Sequence, residues 1–179
     1  MDDATDEELM VRVQNQDRDA FAVLVARHLD GIHAFNYRLT RHAEDAADLA
    51  QETFLRVWSG ARTWRPNRVR FTTWLYRIAR NLCIDAYRRH RETVELNPGT
   101  TAADGAGPDE APGRERLARM LDEGLADLPE RQRTALLLCH RQGMTNREAA
   151  DVLEVSVDAL ESLLARARRT LRLRLRDHR

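Results

Sequence analysis

Apolar residues recur at every third or fourth position through most of the first half of the chain, which is the spacing of helices that bury one face. The pattern predicts a helix beginning at a capping box in residues 5–8, and further helices over residues 21–32, 43–58 and 72–91. The last of these follows a polar stretch that contains Pro66, with Thr72 or Thr73 as its cap. No stretch alternates apolar and polar residues as a half-buried strand does, so the sequence predicts an all-α fold.

A second helical pattern occupies the C-terminal part of the chain. Residues 114–126 form one candidate helix, and Pro129 lies in the first turn of another that is expected to end at Gly143. A capping box at residues 145–148 begins a short helix, and Ser156 caps a long final helix. A short helix, a tight turn and a basic helix are typical of a helix-turn-helix.

The helical pattern is lost between residues 93 and 113. This stretch holds three of the five prolines, four of the eight glycines, four acidic residues and no basic residue. Such a composition buries too little apolar surface to offset the entropy of ordering the chain. We therefore expect two small helical domains, residues 1–92 and 114–179, joined by a flexible acidic linker at residues 93–113.

Charge is distributed in blocks, although the 29 basic residues, all of them arginine, balance the 29 acidic ones. Residues 1–60 carry twelve acidic residues against six arginines, whereas residues 61–94 carry nine arginines against two acidic residues. Residues 95–130 are again acidic and residues 131–179 are basic. The neutral total is a cancellation, so it does not exclude a nucleic-acid partner, which needs only local positive charge.

Composition also bounds the compartment and the chemistry of the protein. With 32% charged residues and no apolar run longer than residues 21–26, the sequence predicts neither a membrane span nor a signal peptide, and we expect a cytoplasmic protein. Cys83 and Cys139 form no Cys-x-x-Cys pair and lie on apolar helix faces, so they are predicted to be core residues.

The basic blocks contain two candidate nucleic-acid surfaces. Residues 62–91 interleave aromatic residues with arginines, which suits unpaired bases because rings stack on bases while guanidinium groups follow the backbone. The alternative is that Phe71 and Trp74 fill a helical core, and we expect both, with Trp64 as the exposed ring. The first residues of the final helix are placed to reach base edges, although a solvated basic helix face would show the same pattern.

The acidic residues of the 43–58 helix raise an enzymatic alternative. Glu44, Asp48 and Glu52 are spaced to line one helix face and could hold a divalent metal. No Glu-x-x-His pair accompanies them, and no glycine-rich phosphate loop or catalytic cluster occurs. The sequence therefore predicts no enzyme, no metal site and no cofactor, and an acidic face that is solvated or binds a basic partner.

Three segments together resemble a known family. They read DAADLAQETFLRVW at residues 45–58, FTTWLYRIARN at residues 71–81, and LPERQR at residues 128–133 with the two helices that follow. In this order, with an acidic Pro/Gly-rich linker between the domains, they resemble bacterial RNA polymerase sigma factors of the extracytoplasmic-function (ECF) type. The resemblance implies that the protein binds the clamp coiled coil and the flap of core polymerase, melts and reads the −10 promoter element, and reads the −35 element.

The resemblance also implies roles for individual residues. The polymerase would be bound by Asp45, Asp48, Gln51 and Glu52. The −10 element would be contacted by the loop from Ala61 to Arg70 and the helix after it, at Trp64, Asn67, Arg68, Arg77, Arg80, Arg88 and Arg89. The −35 element would be contacted at Arg131, Arg133, Arg147, Ser156, Val157, Asp158, Ala159, Glu161, Ser162 and Arg166. An anti-sigma factor is implied as a further partner.

Three residues depart from the family pattern. Glu161 stands where a basic residue is common, and a glutamate there could accept a hydrogen bond from a cytosine amino group. Leu163 stands where another arginine is usual. Glu154 replaces a frequent glycine, which predicts a turn without positive φ.

Three other classes of protein remain as alternatives. The main one is a dimeric helix-turn-helix regulator that acts without polymerase, and it leaves the N-terminal domain unexplained. The others are the metal-carboxylate enzyme and an adaptor bundle.

Overall fold

The elements of the computed structural model are all helical over the residues that it describes, which are 4–96 and 122–177 without the side chains of 91–96, 175 and 177. The chain divides into two compact units, Met1–Ala102 and Ala103–Arg179. The all-α prediction with two helical domains is confirmed. Of the predicted linker, residues 93–96 belong to a helix and the remainder lies outside the described residues.

Four α-helices build the described part of the N-terminal unit: α1 (Asp6–Gln14), α2 (Arg18–Thr40), α3 (Ala43–Gly60) and α4 (Phe71–Leu96), with a short 3₁₀ turn at Ala61–Thr63 after α3. The predicted capping box begins α1, because Thr5 accepts from the Glu8 amide while the Glu8 carboxylate accepts from the Thr5 amide. Helix α4 begins at Phe71, before the predicted cap at Thr72 or Thr73, and runs past the predicted end near Arg91.

The core of the N-terminal unit lies where α2 contacts the other three helices. Its largest fully buried side chains include Leu24, Phe35 and Leu75. The Phe35 ring packs edge-to-face on Tyr76 with centroids 5.1 Å apart, which links α2 to α4. Asn36 is buried in the same core and accepts a hydrogen bond from the Cys83 thiol at 3.4 Å. The prediction that Cys83 is a core residue is therefore confirmed.

The C-terminal unit also consists of helices packed around a buried apolar core, over a shorter stretch of chain. Residues 122–126 are helical and are labelled α5, and the rest of the predicted helix, residues 114–121, lies outside the described residues. Helices α6 (Glu130–Leu136), with a π-helical turn at Leu137–Arg141, α7 (Asn146–Leu153) and α8 (Val157–Asp177) follow. Pro129 is the N-cap of α6 rather than a residue of its first turn. The chain leaves the π-helical turn through Gly143 at φ +65°, as the predicted helix end requires. The core side chains are Leu128, Ala135, Leu136, Leu137, Leu138, Ala149, Val152, Leu153, Leu160, Leu164 and Ala167.

The turn between α7 and α8 differs from its prediction at Glu154. Thr145 and Glu148 form the predicted capping box of α7, and Ser156 accepts from the Ala159 amide at 3.1 Å to cap α8. Glu154, however, has φ 55° and ψ 47°, so the expectation of a turn without positive φ is wrong. Three residues join α7 to α8, and the left-handed conformation lets the Glu154 amide donate to the Ala150 carbonyl as a C-cap.

Candidate nucleic-acid interface

The first turns of α8 present an exposed polar surface after the tight turn. Every residue that the sequence placed at this end is exposed: Ser156, Val157, Asp158, Ala159, Glu161 and Ser162. Arg166 is exposed one turn further on, while Leu163 is half-buried. The helix-turn-helix therefore offers base-reading positions on a helix whose other side, at Leu160 and Leu164, is fixed in the core.

Glu161 is held in place by a residue that the sequence analysis did not single out. The Asn146 side-chain amide, at the start of α7, donates to a Glu161 carboxylate oxygen at 3.2 Å. A carboxylate has two acceptor oxygens, so the other one stays available to a partner. The contact joins residues fifteen positions apart on different helices, and no local sequence pattern indicates it.

Three of the four arginines predicted near the −35 element precede α8, and their environments differ. Arg131 and Arg147 are exposed. Arg133 is half-buried, and its guanidinium donates to the Ala126 carbonyl at 2.5 Å and to the Leu128 carbonyl at 3.1 Å. Arg133 therefore stabilises the carboxyl end of α5, which makes it a weaker candidate for contacting phosphate than the other two.

The loop between the 3₁₀ turn and α4 is where the structure differs most clearly from the prediction. Trp64 was expected to be the exposed ring, but it is only 1% exposed, and its indole N–H is buried without a hydrogen-bond partner in the described structure. A base cannot stack on a buried ring, so the Trp64 side chain fixes the loop to the core of the N-terminal unit instead. Asn67 and Arg68, at the tip of the loop, are exposed.

The arginines of α4 separate into buried and exposed groups. Arg80 is 5% exposed and Arg77 is half-buried, so the prediction that both line a DNA path does not fit their burial. Arg88 and Arg89 are exposed further along the helix. Tyr87, which the sequence analysis missed, is 65% exposed beside them and offers an aromatic face for a base.

The acidic face of α3 lies in the N-terminal unit, as do the loop and α4. Asp45, Asp48 and Gln51 are exposed, and Glu52 is half-exposed and pairs with Arg56 at 2.9 Å. Leu55 points out of the same helix face with 63% of its surface exposed, a feature that the sequence analysis did not use. No group of three or more His, Cys, Asp or Glu side chains in the described ranges is arranged to hold a metal ion.

Cys139 is the second cysteine and differs from its prediction. It is only half-buried, near Asn146, so the expectation of a core position is not met. Burial raises the pKa of the Cys139 thiol, and the charge of Arg168 offsets part of this rise.

Comparison with known proteins decides the family. Residues 24–93 match sigma-70 region 2, and residues 118–171 match sigma-70 region 4. The ECF RNA polymerase sigma factor SigW of Bacillus subtilis is 32% identical over 177 residues, which covers 93% of this chain and 94% of SigW. The chain belongs to the ECF sigma factors. SigE of Mycolicibacterium smegmatis, another member, is 34% identical over 87% of this chain and 61% of its own length.

Two solved structures have the same fold. CnrH, solved in complex with the cytosolic domain of CnrY, is 30% identical with a TM-score of 0.75, covering 96% of this chain and 97% of CnrH. The sigma factor RpoE of Bartonella quintana, solved with the anti-sigma factor NepR, is 23% identical with a TM-score of 0.77, covering 89% and 98%, and shows that the fold is shared.

The family bears on two of the three alternatives that the sequence left open. ECF sigma factors are transcription initiation factors for RNA polymerase, so the dimeric regulator and the metal-carboxylate enzyme are not favoured. The region 2 match contains α3 and most of α4, and the region 4 match contains the helix-turn-helix. Within the part of the chain that the structure describes, no helix is long and apolar enough to cross a membrane.

Proposed function

We propose that this sigma factor divides promoter recognition between its two units. Residues 1–92 dock on core polymerase and open the −10 element, and residues 114–179 read the −35 element, with residues 93–113 linking them. This work takes place in the cytoplasm, where polymerase and promoter DNA are found. The proposal rests on one observation: each unit has its own exposed surface, the acidic face of α3 and the loop and α4 positions in the N-terminal unit, and the start of α8 in the C-terminal unit.

The docking surface is the exposed face of α3. Asp45, Asp48, Gln51 and Glu52 lie on the N-terminal side of the exposed Leu55, so an apolar side chain borders an acidic patch. A buried apolar centre with a charged rim is the usual anatomy of a protein interface. The complementary surface on the polymerase therefore carries a basic patch beside an apolar contact.

The −10 surface consists of the exposed part of the predicted set. Asn67 and Arg68 at the loop tip contact an unpaired base and its backbone, and Arg88 and Arg89 follow the phosphates along α4. Tyr87 joins this set as a stacking ring. Trp64 supports the loop from within and makes no DNA contact.

The −35 surface is the exposed start of α8. The exposed residues at this end, which leave out the buried Leu160, face the base edges, and Glu161 accepts from a cytosine amino group through the oxygen that Asn146 leaves available. Arg131, Arg147 and Arg166 contact phosphates at its edges.

Transcription reconstituted from core polymerase, this protein and a promoter library tests the proposal. The double variant Asp48→Arg/Glu52→Arg is expected to weaken polymerase binding about tenfold or more, because it places positive charge against a basic surface. Asp30→Arg on α2 makes the charge change of one of these two substitutions at another exposed position, and it serves as the control for each single variant, Asp48→Arg and Glu52→Arg. Asn67→Ala/Arg68→Ala should lower permanganate reactivity of −10 thymines without changing polymerase affinity. Failure of the wild-type protein to bind polymerase would refute the proposal.

A protein inhibitor is the second proposed partner. CnrH forms a complex with the cytosolic domain of CnrY, and this chain matches CnrH over nearly its whole length. We expect an anti-sigma factor to compete with polymerase for this protein. Adding the product of the adjacent gene to the reconstituted reaction should suppress transcription, and a saturating excess of an anti-sigma factor that leaves transcription unchanged would exclude it as the regulator.

A further inference from the structure

Helix α1 lies outside the region 2 match and contacts both ends of the loop that carries Asn67 and Arg68. At the first end, the Gln14 side-chain amide donates to the Ala61 carbonyl at 3.0 Å and to the Trp64 carbonyl at 2.9 Å. A primary amide has two N–H donors, so both are used on the loop backbone. A single side chain thus fixes the 3₁₀ turn and the residue that follows it.

At the second end, Glu7 of the same helix holds the start of α4. A Glu7 carboxylate oxygen accepts from the Phe71 amide at 3.1 Å. Phe71 is the first residue of α4, and its N–H is one of those that a helix cannot satisfy internally. A carboxylate at this position is also favoured by the helix dipole. Gln14 and Glu7 are seven residues apart, about two helical turns, so they lie on one face of α1.

Helix α1 is itself held firmly against the unit. Leu9, Met10 and Val13 are completely buried. Asp6 binds the His28 ring at 2.6 Å and the Arg27 guanidinium at 3.0 Å, both on α2. Contacts to the loop made from α1 are therefore contacts to a rigid support.

We propose that α1 is a clamp for the −10 loop, with Gln14 and Glu7 as positioning residues. They hold residues 61–71 in the conformation that presents Asn67 and Arg68 to an unpaired base. A loop ordered before it binds avoids the entropic cost of ordering during promoter opening. This inference rests on the proposed −10 role of the loop and adds residues that never touch DNA.

Gln14→Glu is the sharpest test, because it keeps the shape of the side chain and replaces its two N–H donors by an oxygen that faces two carbonyls. Gln16→Glu, at an exposed position two residues away, makes the same chemical change off the loop and is the matched control. With the reconstituted holoenzyme, we expect open-complex formation by Gln14→Glu to be about tenfold slower, from the loss of two hydrogen bonds. Polymerase affinity and the Gln16→Glu variant should be unchanged.

A second pair of variants separates positioning from folding. Glu7→Ala removes the acceptor for the Phe71 amide, whereas Glu7→Gln keeps one, so Glu7→Gln should open promoters faster than Glu7→Ala when both are folded. Discrimination against substituted −10 bases should fall in Gln14→Glu and Glu7→Ala, which a general loss of stability would not produce.

Two results would overturn the clamp while leaving the proposed function intact. One is that the folded Gln14→Glu variant forms open complexes at the wild-type rate. The other is a loss of polymerase affinity in proportion to the loss of opening. If instead the wild-type holoenzyme binds polymerase but opens no promoter, the proposed −10 function fails and the clamp fails with it.

Discussion

Replacing Glu154 by glycine should stabilise the C-terminal unit. Glu154 has φ 55°, and the left-handed conformation costs an L-residue about 1–2 kcal/mol because its Cβ crowds the backbone. Glycine removes this cost but has more freedom in the unfolded chain, which returns about 0.5–1 kcal/mol. The Glu154 side chain is exposed, so little packing is lost. The expected net gain is about 0.5–1 kcal/mol.

Calorimetry of the full chain measures this gain. For a unit of this size, it corresponds to a rise in melting temperature of about 3–6 °C. All three tryptophans lie in the N-terminal unit, so the transition followed by tryptophan fluorescence should stay unchanged and provides an internal control. Glu154→Ala keeps the Cβ and should bring no gain. Equal melting temperatures for the glycine and alanine variants, or a lower one for glycine, would show that the turn stores no such strain.

Three further predictions follow from burial and hydrogen bonding. Trp64→Ala should destabilise the N-terminal unit by about 3–5 kcal/mol in urea unfolding, whereas Asn67→Ala should stay within about 0.5 kcal/mol; equal effects would contradict the burial of Trp64. Arg133→Ala should cost about 1–3 kcal/mol by leaving two carbonyls without their donor, while Arg131→Ala should leave stability unchanged and weaken promoter binding, measured at several salt concentrations. Hydrogen bonds, the larger one from His28 and a smaller one from Arg27, lower the pKa of Asp6 below its ordinary value of 3.8. The ionised Asp6 carboxylate therefore stabilises the folded state fully above pH 3.8, and this stabilisation is lost as the pH falls through the lower pKa of the folded state. Asp6→Asn should remove this acid dependence from unfolding curves measured between about pH 2 and 6.

The helices and most of their ends could be predicted because their causes are local. The capping boxes at Thr5 and Thr145 join residues three positions apart, and the structure contains both. The apolar stripe of α3 likewise places Asp45 and Asp48 outward, since a helix with one buried face has only one arrangement. The family resemblance also depended on contiguous segments, and the matches over residues 24–93 and 118–171 confirm it.

The parts of the candidate site that could not be predicted depend on contacts between distant residues. Asn146 and Glu161 lie on different helices, and Gln14 reaches carbonyls about fifty positions along the chain, so neither contact leaves a local pattern. Arg131 and Arg133 lie two residues apart in the same basic segment, so the sequence does not distinguish them. In the structure, Arg133 donates to the end of α5, whereas Arg131 is exposed.

By itself, the amino-acid sequence determined the helices, the two-domain architecture, the family and the opposite charges of the candidate surfaces, because these depend on periodicity and local composition. The tertiary structure alone decided which side chains of those surfaces are accessible. An aromatic ring among arginines can stack on a base or fill a core, and in the folded unit Trp64 is buried. Asn67 and Arg68 stay exposed on the same loop, whose two ends are held by Gln14 and Glu7. The sequence cannot show this difference, because the burial of a side chain depends on which distant residues pack against it.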